Sequence, residues 1–243
     1  MTAQPGSASV AVALFASGSG SNAAALLDHR YSGAVRPHFR CLVGNNSGAP
    51  VMRLARARGV PAYHVSRRTH PSRDAYLARL LEILALHRAE LIVLAGYMKL
   101  LPAEIVRRWR GRILNIHPAL LPRHGGRGMY GMAPHRAVLA AGECETGVTV
   151  HLVDEEYDGG PIVLQRRVAV RADDSARTLA RRVLAVEHDT YWRAVEQMAA
   201  TVAAHRERAV AGRTPAPPGA PAARPREASG TRPPATERAE VVR

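Results

Sequence analysis

Two short segments hold side chains able to move protons and to stabilise a growing negative charge. In "LNIHPALLP", Leu114 to Pro122, Asn115 and His117 stand two apart, so in an extended chain they share a face. In "GVTVHLVDEEYDGGPI", Asp158 immediately precedes Gly159 and Gly160. An amide, an imidazole and a carboxylate converging on one cleft suit attack by an amine on an acyl or formyl carbon. That reaction needs donors for the oxygen that gathers charge and a path for the amine's proton. Imidazole can give or take a proton near neutral pH, and a nearby carboxylate favours its charged form. His117 is therefore expected to act as an imidazolium maintained by Asp158. Plainer readings stand beside this one: a His next to Pro, or Asp-Gly-Gly, is common in turns, and Asn115 could bridge backbone groups.

A second chemical feature lies near the start. "SGSGSN", Ser17 to Asn22, falls between an apolar run and a helical stretch. Glycines permit a tight turn there, and the first N–H groups of the helix lack internal partners. Together with the helix dipole they favour an anion, most simply a phosphate. Gly18-x-Gly20-x-x-Ala23 also fits a loose dinucleotide fingerprint, but that use requires an acid about 20 residues on. No Asp or Glu occurs between His29 and Arg73. NAD is thus disfavoured, Arg40 leaves NADP open, and a plain turn is the remaining alternative.

Elements of alternating type must position these groups. Short Val-rich runs at 9–16, 38–45, 60–65, 90–97 and 112–117 read as buried strands, with helices between them at 21–29 and 49–58, from Ser72, and from Pro102. Strand and helix alternating in this way predict right-handed crossovers and a mostly parallel, Rossmann-like α/β sheet. The pattern then changes to β-rich stretches at 146–153 and 161–170, which predict an antiparallel C-terminal addition. A helix from about Ser175 to Arg208 closes the domain, with Leu179, Val183, Val186, Trp192, Val195, Ala199 and Val202 on one face. Residues 1–8 are expected to be disordered. So is 209–243, rich in Pro, Ala and Arg and poor in large apolar side chains. The catalytic domain is therefore expected to span 9–208.

Composition narrows the function classes. Of 243 residues, 47% are hydrophobic, an ordinary globular share, and no apolar run is long enough to cross a bilayer. The absence of a leader pattern and two cysteines without metal spacing point to a cytoplasmic enzyme without bound metal. The net charge of +14 comes from 34 basic residues, of which only Lys99 is Lys. An Arg bias of that kind raises charge without choosing a partner. With aromatics at 5% and no motif interleaving them with Arg, nucleic acid is the weaker partner.

The ordered motifs "GSGSN", "AGYMKLLP", "LNIHPALLPRHGGRGMYG" and "GVTVHLVDEEYDGGPIVLQ" resemble the phosphoribosylglycinamide formyltransferase family over about Val10 to Ala204. The resemblance implies formyl transfer from 10-formyltetrahydrofolate, as co-substrate, to the amine of glycinamide ribonucleotide in purine synthesis, with no metal. It implies Asn115, His117 and Asp158 as the catalytic set, and Gly20, Ser21, Asn22 and Glu187 as ribonucleotide contacts. Arg73, Met98, Lys99, Leu100, Leu101 and Asn115 would meet the folate. Position 99 is Lys where many members carry Arg, which replaces a planar fork by a point charge. Small molecules are the implied partners, without nucleic acid or membrane, for a monomer or homodimer. The rivals are a formyltetrahydrofolate hydrolase, expected to carry an extra small N-terminal domain, and a methionyl-tRNA formyltransferase, expected to carry a further β-rich domain. A non-catalytic nucleotide-binding protein would leave the Asn, His and Asp pattern unexplained.

Overall fold

The computed structural model describes residues 8–211. The first five strands are β1 (Ala8–Ala16), β2 (Val35–Gly44), β3 (Ala62–His64), β4 (Leu91–Leu94) and β5 (Ile113–His117). They pair in parallel, and β6 (Glu145–Leu152) and β7 (Ile162–Ala169) extend the sheet antiparallel, in the order β3-β2-β1-β4-β5-β6-β7. This is the predicted α/β sheet with its antiparallel addition. The order in which strands are added reverses at β1: β2 and β3 lie on one side of it and β4 joins it on the other, all parallel. Such a switch point opens a crevice at the carboxyl ends of the strands.

Side chains of the central strands alternate between two cores. Val12 and Leu14 of β1 face a layer made by α1 (Ser21–Asp28), α2 (Pro50–Ala57) and α6 (Ala176–Ala211). Ala13 and Phe15 face α3 (Arg73–Leu86) and α4 (Ala103–Arg108). Covering both faces is what lets these strands be apolar throughout. Ser72 caps α3 as the sequence predicts, accepting from the Ala75 amide. Leu80 and Leu84 of α3 are fully buried, each contributing about 2 kcal/mol by leaving water. Pro102 stands one residue before α4, as its N-cap.

The long helix α6 carries the expected stripe: Leu179, Val183, Val195, Ala199 and Val202 are buried, while Val186 and Trp192 pack at its margin. The same helix buries Tyr191, whose hydroxyl donates to the Leu94 carbonyl at 2.8 Å and reaches that of Leu114 at 3.3 Å. It thereby ties the ends of β4 and β5 together. Both ends of the expected domain, 9–208, extend further. Ala8 already belongs to β1, and α6 runs to Ala211 rather than Arg208, because alanine has the highest helix propensity. The expectations for 1–7 and 212–243 lie outside the described residues. A further helix, α5 (Ala133–Ala140), was not foreseen. Its eight residues bury only Pro134, His135 and Val138, too few to display a helical period.

Candidate active site

The glycine turn comes first along the chain. Gly20 is left-handed, with φ 83°, and a Cβ there would lie 2.5 Å from Val51 Cγ2. Glycine is therefore required at 20, whereas a Cβ on Gly18 would meet nothing within 4 Å. The turn delivers α1 with no side-chain cap at its N-terminus, an end whose first amides are suited to receive an anion. Ser17 fastens the turn to the segment after β4: its Oγ accepts from Met98 N at 2.8 Å and its amide donates to Gly96 O at 3.1 Å. Asn22 and Glu187 come together although they sit on different helices. Asn22 Nδ2 donates to Glu187 Oε2 at 2.7 Å, and Asn22 Oδ1 is buried without a partner. Burial pushes the Glu187 carboxyl up to about 7, with Asn22 pulling the other way.

Asn115 and His117 share one face of β5, opposite the Leu114 and Ile116 side chains that join the α6 core. Asp158 reaches the same place from the loop after β6, in a left-handed conformation with φ 54°. Its Oδ2 lies 3.5 Å from His117 Nδ1 and accepts from the Gly126 amide at 2.9 Å. Its Oδ1 lies 3.5 Å from Nε2 of His151. The predicted trio therefore converges, and a fourth member joins it. His151 is the cross-strand partner of Asn115, whose Nδ2 donates to His151 Nε2 at 3.1 Å. His151 was visible in "GVTVHLV", but only the antiparallel register sets it opposite Asn115. The Nε2–H of His117 donates to the backbone carbonyl of His124 at 2.9 Å. His124 is itself left-handed and meets Glu143 at 3.1 Å.

The electrostatics correct one expectation. Burial lowers the His117 pKa, and it outweighs the pull of Asp158 and of the His124 carbonyl; His151 and His124 lower it further. Asp158 acts in the expected direction, but His117 in the free protein favours the neutral ring. For Asp158 the balance is reversed. Burial pushes its carboxyl up, while the His151, Gly126 and His117 contacts together hold it below its usual value. Buried His135 on α5, lowered by burial and by the nearby His117, has an Nδ1 with no hydrogen-bond partner.

Beside this cluster opens a cavity of about 340 Å³. Met98, Lys99, Leu100 and Leu101 line one wall, and Asp158 and His151 lie at its inner end. Met98, Leu100, Tyr130 and Tyr157, four of the large hydrophobic side chains most exposed to water, all line it. Apolar groups gathered at a cavity mouth suit a ligand with a flat aromatic body. Arg73 does not line the cavity; it sits at the start of α3, paired with Glu104 of α4. Among the described residues no cluster of His, Cys, Asp or Glu is arranged to hold a metal ion, and no helix is long and apolar enough to cross a membrane.

An amide and two imidazoles around one carboxylate, set where a parallel sheet ends, form an arrangement for acyl transfer on an α/β scaffold. The model of the family described as formyl transferase matches residues 10–195, and the chain belongs to that family. It is similar to the chloroplastic phosphoribosylglycinamide formyltransferase of Vigna unguiculata, at 39% identity over 187 residues, 77% of this chain and 60% of that protein. It therefore spans about three fifths of that plant relative's length. The phosphoribosylglycinamide formyltransferase of Escherichia coli K12 is 34% identical over 74% of this chain and 82% of its own length. The crystal structure of glycinamide ribonucleotide transformylase 1 from Symbiobacterium toebii matches with a TM-score of 0.73 at 36% identity, covering 79% of this chain and 88% of the other.

Proposed function

We propose that the chain transfers the formyl group of 10-formyltetrahydrofolate to the amine of glycinamide ribonucleotide, a step of purine synthesis. The observation that carries this reading is the Asn115, His117, His151 and Asp158 cluster at the inner end of the Met98–Leu101 cavity. The folate fits that cavity by its aromatic body. The ribonucleotide phosphate suits the free amides after Gly20, with Ser21 as a hydroxyl donor, and Asn22 with Glu187 stand ready for its sugar. The two substrates then meet along the strand ends between β1 and β5, which supplies the orientation that bimolecular chemistry lacks in solution.

In the transfer, the amine nitrogen bonds to the formyl carbon and an electron pair moves onto the formyl oxygen. Asn115 Nδ2 and the Nε2–H of His117 are the donors available to that oxygen, once each exchanges its present partner for substrate. The amine's proton can rest on His117 Nδ1, where the ionised Asp158 faces it. As the C–N10 bond breaks, N10 of the departing tetrahydrofolate takes up a proton, and the ring returns to its neutral form. A His held below its ordinary pKa is free to accept that proton at neutral pH.

We place the enzyme in a reducing cytoplasm, which its two unpaired thiols support; burial pushes the Cys41 thiol up to about 12 and leaves it inert. Absorbance assays of the purified chain with glycinamide ribonucleotide and a 10-formyl folate test the function. Formyl transfer only in the presence of the ribonucleotide is expected. Release of formate at an equal rate without it would replace this reading by a hydrolase.

A further inference from the structure

Three residues form one row across the antiparallel part of the sheet. His117 of β5 pairs with Thr149 of β6, and Thr149 pairs with Gln165 of β7. Directly paired residues present their side chains to the same face, so the row points away from the α6 core that takes Val148 and Val150. The chain that leaves His117 turns back over this row. Thr149 is fully buried, and its hydroxyl is saturated: it donates to Ala119 O at 2.7 Å and accepts from Leu121 N at 3.1 Å. Its third contact is the Gln165 amide, whose Nε2 lies 2.8 Å away and also donates to Leu121 O at 3.1 Å. Two positions earlier on the same face of β6, Gly147 leaves room for Leu120; a Cβ there would lie 2.5 Å from Leu120 Cδ2.

We propose that Thr149 and Gln165 are positioning residues for His117, clamping residues 119–121 so that the imidazole is fixed between Asp158 and the His124 carbonyl. The three backbone groups of the reversal, Ala119 O, Leu121 N and Leu121 O, all end on these two side chains. A loop anchored only by its apolar contacts could pivot about His117. With the clamp, both ends of the ring's surroundings are set, β5 from below and the reversal from above. A displacement of about 1 Å in a reacting group can cost two orders of magnitude in rate. An edge strand that contributes nothing to the cavity wall would thereby govern turnover. The kinetic part of this inference rests on the proposed transfer activity; the structural part does not.

The test uses the full chain and the variants Thr149→Val, Thr149→Ser and Gln165→Met. Valine keeps the shape of threonine and removes the hydroxyl; methionine keeps the length of glutamine and removes the amide. Thr149→Val and Gln165→Met are expected to lower kcat by at least about tenfold while both KM values stay within about twofold. Thr149→Ser, which keeps the hydroxyl, should recover most of the loss. NMR titration of His117 supplies a reading independent of turnover. Once the reversal loosens and admits water, its midpoint should rise towards the ordinary value of about 6.5. Gln165 is exposed on an edge strand, so its variant should fold even if Thr149→Val does not. A melting temperature that falls while kcat and the His117 titration stay native would overturn the proposal, as would parallel rises in both KM values. If the unaltered chain transfers no formyl group, the proposed function fails, and the His117 titrations still decide whether the clamp positions the ring.

Discussion

The Asn22 amide and the Glu187 carboxyl, 165 residues apart in sequence, meet at 2.7 Å and join the first turn of α1 to the N-terminal half of α6. Both side chains are buried, and among the described residues Asn22 is the hydrogen-bond donor to the Glu187 carboxyl. A carboxyl in that setting holds its proton to about pH 7, against 4.5 ordinarily. Its charge state therefore changes near neutral pH.

A first prediction follows from the sign of that shift. Since the folded pKa is raised, the associated stability is complete below the unfolded value of 4.5 and is lost as pH rises through about 7. Glu187→Gln mimics the protonated form and should be more stable than the parent at pH 8, by on the order of 3 kcal/mol. The difference should shrink to nothing near pH 4.5. Thermal melts across pH 4.5 to 8.5 provide the comparison; a glutamine variant less stable at pH 8 would show that the pair is held as an ion.

Asp158→Asn should lower turnover by at least about a hundredfold, the usual scale of an acid–base contribution. The amide keeps an oxygen for the Gly126 N–H, so folding should be nearly unchanged. Because Asp158 pulls the His117 titration upward against the larger effect of burial, its removal should send the midpoint lower still. Rates and an NMR titration on the same sample test both statements. Near-native turnover would reduce Asp158 to a residue of its turn.

Replacing Ser21 and Asn22 together by Ala should raise KM for the ribonucleotide far more than KM for the folate. The physical reason is location: both lie on α1, while the cavity walls come from 94–101, 126–130 and 151–158. Steady-state kinetics with each substrate varied in turn would reveal it, and equal weakening of both would place the phosphate elsewhere.

The two glycines of the first turn should differ sharply. Gly20→Ala must place a Cβ 2.5 Å from Val51 in a left-handed backbone, at a cost of about 1–3 kcal/mol. In a domain of this size that lowers the melting temperature by several degrees, about 2–4 °C per kcal/mol. Gly18→Ala meets nothing and should stay within about 0.5 kcal/mol of the parent. Melts of the two variants side by side make the test.

Much of this could be read from residue order. The buried strands announce themselves because two covered faces demand apolar runs, and Ser72 and the α6 stripe follow local rules that no distant contact overrides. Asn115, His117 and Asp158 were legible by chemical type. What escaped depends on pairing at a distance. His151, Thr149 and Gln165 acquire their places from the register of β5, β6 and β7, and nothing in a single strand states which neighbour it will take. The direction of the His117 shift escaped for a related reason. A carboxylate is visible in sequence, but the packing that removes water from the ring is not. Arg73 shows the converse, since a side chain in an Arg-rich stretch finds whichever acid is nearest, here Glu104.

Strand β6 has a consequence for how the gene can vary in length. Gly147, Thr149 and His151 occupy one side of it at every second residue, while Val148 and Val150 fill the α6 core on the other. Deleting or adding a single residue within 147–151 would exchange the two sides for the residues beyond it, driving polar groups into the core and valines towards Asn115 and His117. Libraries of single-codon insertions and deletions should therefore be silent at the turn around Gly142 and lethal to activity throughout this stretch. Point substitutions there would be graded by comparison, because each removes one contact and leaves the frame in place.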